Sequence, residues 1–226
     1  TIENSNNFFL GEVLHENLPG MNYFRSGGYG TVSGIQLRGL PKRYSTVYID
    51  GVKMSDPSSS DNSFYFSNIM NSSIKNVEIL RGSQSSMYGS GAIGGAINIY
   101  TKNGDDKNLN KFVVSNGVNG TKNLDASIGD KYYNHSYYIG LNLFDTDGIS
   151  AMNDESSTND DDAYENKGFI SNYKYLFNEN FYFNGSLRYS ESLLNYDEVT
   201  SGRTDNNNST EDTELSYSLK MSADVG

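Results

Sequence analysis

The sequence predicts a small α+β domain over residues 1–104, followed over residues 105–226 by antiparallel strands of a transmembrane β-barrel. Three observations carry this reading. A glycine-rich element lies between two short strands near residue 90. Apolar and polar residues alternate with period two along the second half, and the connections there switch between tight turns and long polar loops.

In the first part, residues 8–20 (FFLGEVLHENLPG) place Leu10, Val13, Leu14 and Leu18 at helical spacing and end on a Pro-Gly stop. Residues 34–39 (GIQLRG) and 45–57 (STVYIDGVKMSDP) read as short strands with turn residues at their ends. Within the latter, Asp50-Gly51 predicts a hairpin joining Val47-Tyr48-Ile49 to Val52-Lys53-Met54. Residues 77–102 (VEILRGSQSSMYGSGAIGGAINIYTK) begin as a strand that runs into Arg81-Gly82. Gly89, Gly91, Gly94 and Gly95 follow, and a second strand occupies residues 96–100. Glycine at this density means left-handed backbone, or packing too close for side chains. Met87, Ile93, Ile97 and Ile99 punctuate the run, so it is a compact element and not a linker. Gly89 to Gly94 also fits G-x-G-x-x-G, but the preceding strand stops at Arg81 and the following AINIY is β-branched and aromatic. A strand, not a helix, leaves the glycines, and the pyrophosphate-binding context is missing.

A membrane barrel strand needs about ten residues with one face to lipid and the other to the lumen. Leu124, Ala126 and Ile128 alternate with Asp125, Ser127 and Gly129; Tyr137, Ile139, Leu141 and Leu143 with Tyr138, Gly140 and Asn142. Phe169, Tyr173, Tyr175 and Phe177 oppose Asn172 and Lys174. Phe181, Phe183, Leu187 and Tyr189 oppose Asn184, Ser186 and Arg188. Leu215, Tyr217, Leu219, Met221 and Ala223 oppose Glu214, Ser216, Ser218, Lys220 and Asp224. Short turns are expected near residues 129–134 and 178–180, and long polar loops over 145–167 and 195–212, the two sides of an outer-membrane barrel. Aromatics (Tyr132, Tyr133, Tyr137, Phe177, Phe181, Tyr182) gather at the short-turn ends, as an interfacial girdle does. A soluble β-sandwich also alternates, so the period alone leaves that alternative open.

Composition narrows the function classes. Mean hydropathy is −0.61 and no apolar run has the length of a membrane helix, which a barrel does not need. The absence of cysteine removes thiol catalysis and thiolate metal sites, and two histidines leave no multi-histidine centre in this chain. No nucleophile–base arrangement with context appears, so the chain does not read as an enzyme. Residues 1–104 hold eight Lys or Arg against seven Asp or Glu, whereas the remainder holds nine against twenty-one. No basic surface for nucleic acid follows from that balance.

The ordered motifs of the first hundred residues, LxxxPG, then TVSGIQLRG, then the VYIDGV hairpin, then VEILRG and YG with AIGGAINI, together resemble the plug domain of TonB-dependent outer-membrane transporters over roughly residues 8–101. One departure is Ser83, where that family usually has proline after the second Arg-Gly. The resemblance implies a plug inside a barrel of about 22 strands in the bacterial outer membrane, with Arg38 and Arg81 tying plug to barrel wall. It implies TonB and its inner-membrane energising complex as partners, outer-membrane lipid around the wall, and no required cofactor. The function implied is active uptake of a scarce nutrient, cobalamin first, with a ferric siderophore as the alternative. A soluble β-rich adhesin or binding module is the alternative from another class. By position, cargo would be met by the turn Pro41, Lys42, Arg43, Tyr44 and by Ser58, Ser59, Ser60, Asp61 and Asn62 within residues 57–64. The chain reads as a piece of such a protein: most of the plug plus the opening strands.

The acidic loop around Asp145, Asp147, Asp154, Glu155 and Glu165 has two readings. One is a hydrated, unstructured charge run. The other is a hard-cation site, because calcium takes about six to eight oxygen ligands. The loop resembles the calcium-binding loop of cobalamin transporters, which implies Asp160, Asp161 and Asp162 as ligands.

Overall fold

The computed structural model describes residues 5, 7–150, 161–197 and 208–223. Helix α1 (Leu10–Asn17) buries Leu10, Val13 and Leu14 on one face, the stripe its spacing predicts. It closes through the Leu18 N–H to the Leu14 carbonyl at 3.0 Å, ahead of Gly20 at φ +75°. Strands β1 (Met21–Arg25) and β2 (Ser33–Leu37) form an antiparallel pair, of which only β2 is foreseen in the sequence.

A four-stranded sheet forms the centre of this N-terminal unit, in the order β4-β3-β6-β5. β3 (Ser45–Ile49) and β4 (Val52–Met54) are the expected hairpin. Asp50 at φ +49° and Gly51 at φ +82° supply the two left-handed residues that a two-residue turn requires. β6 (Gly95–Thr101) runs parallel to β3 and antiparallel to β5 (Ile74–Arg81), and is buried along nearly its whole length. Leu10, Ile35, Leu37, Val47, Ile49, Phe66, Ile97 and Ile99 lie within one core between α1, the β1–β2 pair and this sheet. Each such side chain contributes about 1.5–3 kcal/mol on burial.

The glycine run shows both predicted uses of the residue. Gly89 adopts φ +83°, and at Gly95 an added Cβ would collide with the Leu80 carbonyl oxygen of the neighbouring strand. A single helical turn, α2 (Ser85–Tyr88), interrupts the run, and the glycines then lead into strand β6.

The second sheet has six strands paired in chain order, all antiparallel: β7 (Lys111–Asn116), β8 (Lys122–Tyr132), β9 (His135–Thr146), β10 (Tyr164–Asn178), β11 (Phe181–Tyr196) and β12 (Asn208–Ala223). Strand β7 has no counterpart in the sequence reading, and its link to β8 is tight although it lies on the long-loop side. The long loops are also shorter than expected. Strands β10 to β12 extend into them, to 15 or 16 residues each, well past the length of a membrane crossing. Above the apolar band each face mixes polar and apolar residues, so the period-two signal fades while the ladder continues: Glu165 still pairs with Leu193, and Leu194 with Thr210.

Register sorts the side chains onto two faces. Outward stand Leu124, Ala126 and Ile128, then Ile139, Leu141 and Leu143, then Phe169 and Tyr173, Phe183 and Leu187, Leu215 and Leu219. Leu141, Leu143, Leu215 and Leu219 are among the exposed large apolar residues of the chain. This is the continuous apolar band of a membrane barrel wall. At the short-turn end it closes on aromatics in contact, including Tyr175 with Phe177 (4.8 Å between ring centroids) and Phe177 with Phe181 (4.7 Å). At the long-loop end it closes on charges, with Lys167 lying 3.7 Å from Glu165 and 3.5 Å from Glu191.

Candidate functional site

The N-terminal unit packs against the inner face of the wall, and two kinds of contact hold it. Toward the long-loop end the contact is apolar. Phe9, Met70, Phe144 and Tyr164 form a buried cluster with Phe8, Tyr29 and Leu194 packed on it, Phe9 and Phe144 meeting edge to face at 5.1 Å. Phe9 is placed there by its bridge to Met70 and by the Leu10 N–H bonding the Ile69 carbonyl at 2.8 Å. The Tyr164 hydroxyl donates to the Ser67 carbonyl (3.2 Å) or the Asn68 side-chain oxygen (2.9 Å) and accepts from Asn166 Nδ2 (3.0 Å). A smaller cluster, Leu109, Tyr138 and Ile170, seats the chain as it passes from the sheet into the wall.

Elsewhere short polar side chains make the contact. Asn142 donates to Ser72, Tyr138 lies 3.3 Å from Ser73 Oγ, and the buried Asn172 amide reaches Thr101 Oγ1 (2.7 Å) and the Lys102 carbonyl (2.6 Å). Asn68 donates to Asp212 at 2.5 Å, and Arg188 pairs with Glu214 at 2.5 Å on the same inner face.

The two segments expected to meet cargo are brought together. Pro41 opens a 3-10 turn over Lys42–Tyr44, and the Tyr44 carbonyl accepts from the Gly94 N–H at 2.8 Å, so the glycine run fixes this turn. Lys42 Nζ lies 3.4 Å from Asp61 Oδ1 and 4.3 Å from the centre of the Tyr65 ring. Asp61 also accepts from Ser59 Oγ (2.7 Å) and the Ser63 N–H (3.1 Å). Hydrogen bonds from Ser63 and Ser59, with Lys42 beside them, hold the Asp61 carboxyl well below the usual carboxylate range. Arg43 stacks on Tyr44 at 4.9 Å. Ser58 bonds Asp56, Asn62 takes φ +50° to turn the chain, and Ser60 is exposed. The result is a small surface of hydroxyl, amide, phenol, ammonium, carboxylate and guanidinium groups. Between Asp56, Pro57, Ser58 and Tyr65 on one side and Ser192 and residues 210–214 on the other lies a cleft of about 400 Å³.

Arg38 and Arg81 share one exposed corner where β2 and β5 end. Arg81 Nη2 donates to the Pro19 carbonyl at 2.7 Å, and Arg38 lies against Gly82. Among the described residues neither pairs with a carboxylate of the six strands. Of the three expected calcium ligands, Asp160 lies outside the described residues. Asp161 and Asp162 precede β10, and no group of three or more potential metal ligands gathers among the described residues. The polar seat of Asn142, Asn166 and Asn172 was not foreseen. Its signal was present as asparagine at inward positions of consecutive strands.

Comparison with known proteins agrees with this geometry. Residues 1–96 match the family described as TonB-dependent Receptor Plug Domain. The vitamin B12 transporter BtuB of Photobacterium profundum is 33% identical over 146 residues, 64% of this chain and 23% of that protein. Among solved structures, the FrpB iron transporter of Neisseria meningitidis superposes with a TM-score of 0.66 at 19% identity, over 84% of this chain and 30% of that one. A variant of the ferric enterobactin receptor PfeA of Pseudomonas aeruginosa gives 0.66 at 16% identity, over 94% and 35%. The chain thus spans about a quarter of the length of the curated relative it matches.

Proposed function

We propose that the protein is a TonB-dependent receptor serving active nutrient uptake across the bacterial outer membrane, with cobalamin as cargo and TonB and its inner-membrane complex as the energy source; the plug-domain match over residues 1–96 and the likeness to a vitamin B12 transporter support this reading. One observation carries the reading: a globular unit seated on the polar face of a sheet whose other face is a continuous apolar band. A soluble adhesin has no use for such a band. The members of this family are receptors and transporters, not enzymes, and a cofactor is not typical of them.

Cobalamin is favoured over a ferric siderophore by the sequence identity to a vitamin B12 transporter, since the likeness to iron receptors lies at the level of fold. In this reading the turn Pro41, Lys42, Arg43 and Tyr44 and the segment Ser58, Ser59, Ser60, Asp61 and Asn62 contact cargo, and Arg38 and Arg81 engage wall strands beyond the six seen here. Calcium, if the protein takes it up, would be held by the carboxylates of Asp160, Asp161 and Asp162. The test is growth of a cobalamin-requiring, transporter-deleted host carrying the complete gene, with and without TonB and with and without calcium. TonB-dependent rescue is expected. Growth only on a ferric chelate moves the cargo to siderophores, rescue indifferent to TonB overturns the mechanism, and rescue indifferent to calcium removes the ion.

A further inference from the structure

The hairpin tip Asp50-Gly51 lies at the short-turn end of the wall, where Lys220 stands opposite Asn184. The Asp50 carboxylate accepts from the Thr101 N–H (3.0 Å) and the Thr101 hydroxyl (2.6 Å). That hydroxyl oxygen accepts in turn from Asn172 Nδ2, and Lys220 Nζ donates to the Asp50 carbonyl at 3.0 Å. Two wall strands, β10 and β12, therefore grip one turn and the strand end beside it. Asn172 and Lys220 occupy successive inward rows, the first with Ser186 and Ser218, the second with Lys174 and Asn184. A Cβ on Gly51 would stand 2.5 Å from Lys220 Nζ, so glycine at the tip leaves the ammonium its room.

Beside this tip a gap of about 610 Å³ separates the plug sheet from β11 and β12. Tyr48, Tyr88, Tyr100, Tyr182 and Asn184 line it, together with Lys220 itself. Its volume falls within the range of small-solute sites, about 300–1,000 Å³. The corner holding Arg38 and Arg81 is at the other end of the sheet: Arg81 pairs with Gly95 at the start of β6, whereas Ile49 pairs with Ile99 near its close.

We propose that Asn172 and Lys220 are positioning residues that hold the Asp50-Gly51 tip as a latch, closing this gap at the short-turn end of the wall. The proposal rests on the N-terminal unit being a plug within a barrel. Removing both donors takes away a charge-assisted bond and two buried amide bonds, and raises solute leak about tenfold.

The test uses the full-length protein with Asn172→Ala and Lys220→Met together, in cells lacking their own receptor and in planar bilayers. Vancomycin sensitivity and ion conductance are the readouts, against equal amounts of protein in the membrane. Leak is expected to rise in the double variant and to stay near the parent level in Lys220→Arg, which keeps a donor at the site. A double variant as tight as the parent by both measures overturns the latch. If that variant does not reach the membrane, Lys220→Met alone, an exposed change of similar length, is read the same way and decides. Leak is measured without cargo and without TonB, so failed nutrient uptake by a protein whose latch behaves as described counts against transport and leaves the latch standing.

Discussion

Strand β9 sends Ile139, Leu141 and Leu143 to one side and Ser136, Tyr138, Asn142 and Phe144 to the other, and the two sets answer to different partners. The outer set faces lipid, which has no shape or hydrogen-bonding groups to match, so any apolar side chain of ordinary size serves. The inner set faces a folded unit. There each position meets a particular group: Tyr138 the Ser73 hydroxyl, Asn142 the Ser72 hydroxyl, and Phe144 the rings of Phe8, Phe9 and Tyr29. Substitution on the outer face should therefore depend on polarity and depth, and on the inner face on the identity of the lost partner.

The largest effect is expected at Tyr164, on the inner face of β10. The ring is 1% exposed and packs with Phe9 and Phe144, while its hydroxyl reaches Ser67 and Asn68 on the plug. Tyr164→Ala should cost about 3–5 kcal/mol, as truncation of a buried aromatic does. Tyr164→Phe should cost about 1–2 kcal/mol, because the ring stays and the hydroxyl bonds go. Urea titration in detergent micelles, with protease protection of the plug as the signal, measures both. Equal losses for the two variants would mean that the hydroxyl, not the ring, seats the plug.

On the outer face, Leu141 stands between Ala126 of β8 and Phe169 of β10, inside the apolar band. Leu141→Arg should cost about 2–4 kcal/mol if that row lies near the bilayer midplane, and progressively less for the same change nearer either rim. Refolding equilibria in lipid vesicles read this directly. Its diagnostic feature is the medium: in detergent-free aqueous buffer the same substitution should improve solubility. A stability loss of equal size in buffer would place Leu141 against protein.

This contrast also explains what was legible in the sequence. The outer face is legible strand by strand because lipid imposes a bare period of two, and the register follows each alternating set within the described residues. The Asp50-Gly51 hairpin and the first helix were equally plain, since local turn chemistry and helical spacing determine both. The inner face was not legible. Asparagine at position 172 and serine at 190 look like ordinary lumen residues until the plug is placed against them. The Lys42–Asp61 pair joins segments that only the tertiary fold brings near. The strands above the lipid band escaped for a related reason. With polar and apolar residues mixed on both faces, the backbone ladder continues where the side-chain alternation no longer marks it.

The smallest effect is expected at Asp105, in the link between plug and wall. Its carboxylate lies 2.7 Å from Lys131 Nζ and 3.8 Å from Lys174 Nζ, and its side chain is 31% exposed. Water therefore screens both pairs, and Asp105→Asn should cost only about 0.5–1 kcal/mol by the same urea titration. The cost should shrink as sodium chloride rises toward about 1 M, where the screening length falls to about 3 Å. The Tyr164→Ala cost should not shrink, since ring packing carries no net charge to screen. Should the Asp105→Asn cost hold its size in high salt, the carboxylate is acting through short hydrogen bonds shielded from solvent. The short-turn end of the seat would then resemble the buried Phe9–Phe144–Tyr164 end more closely than its exposure implies.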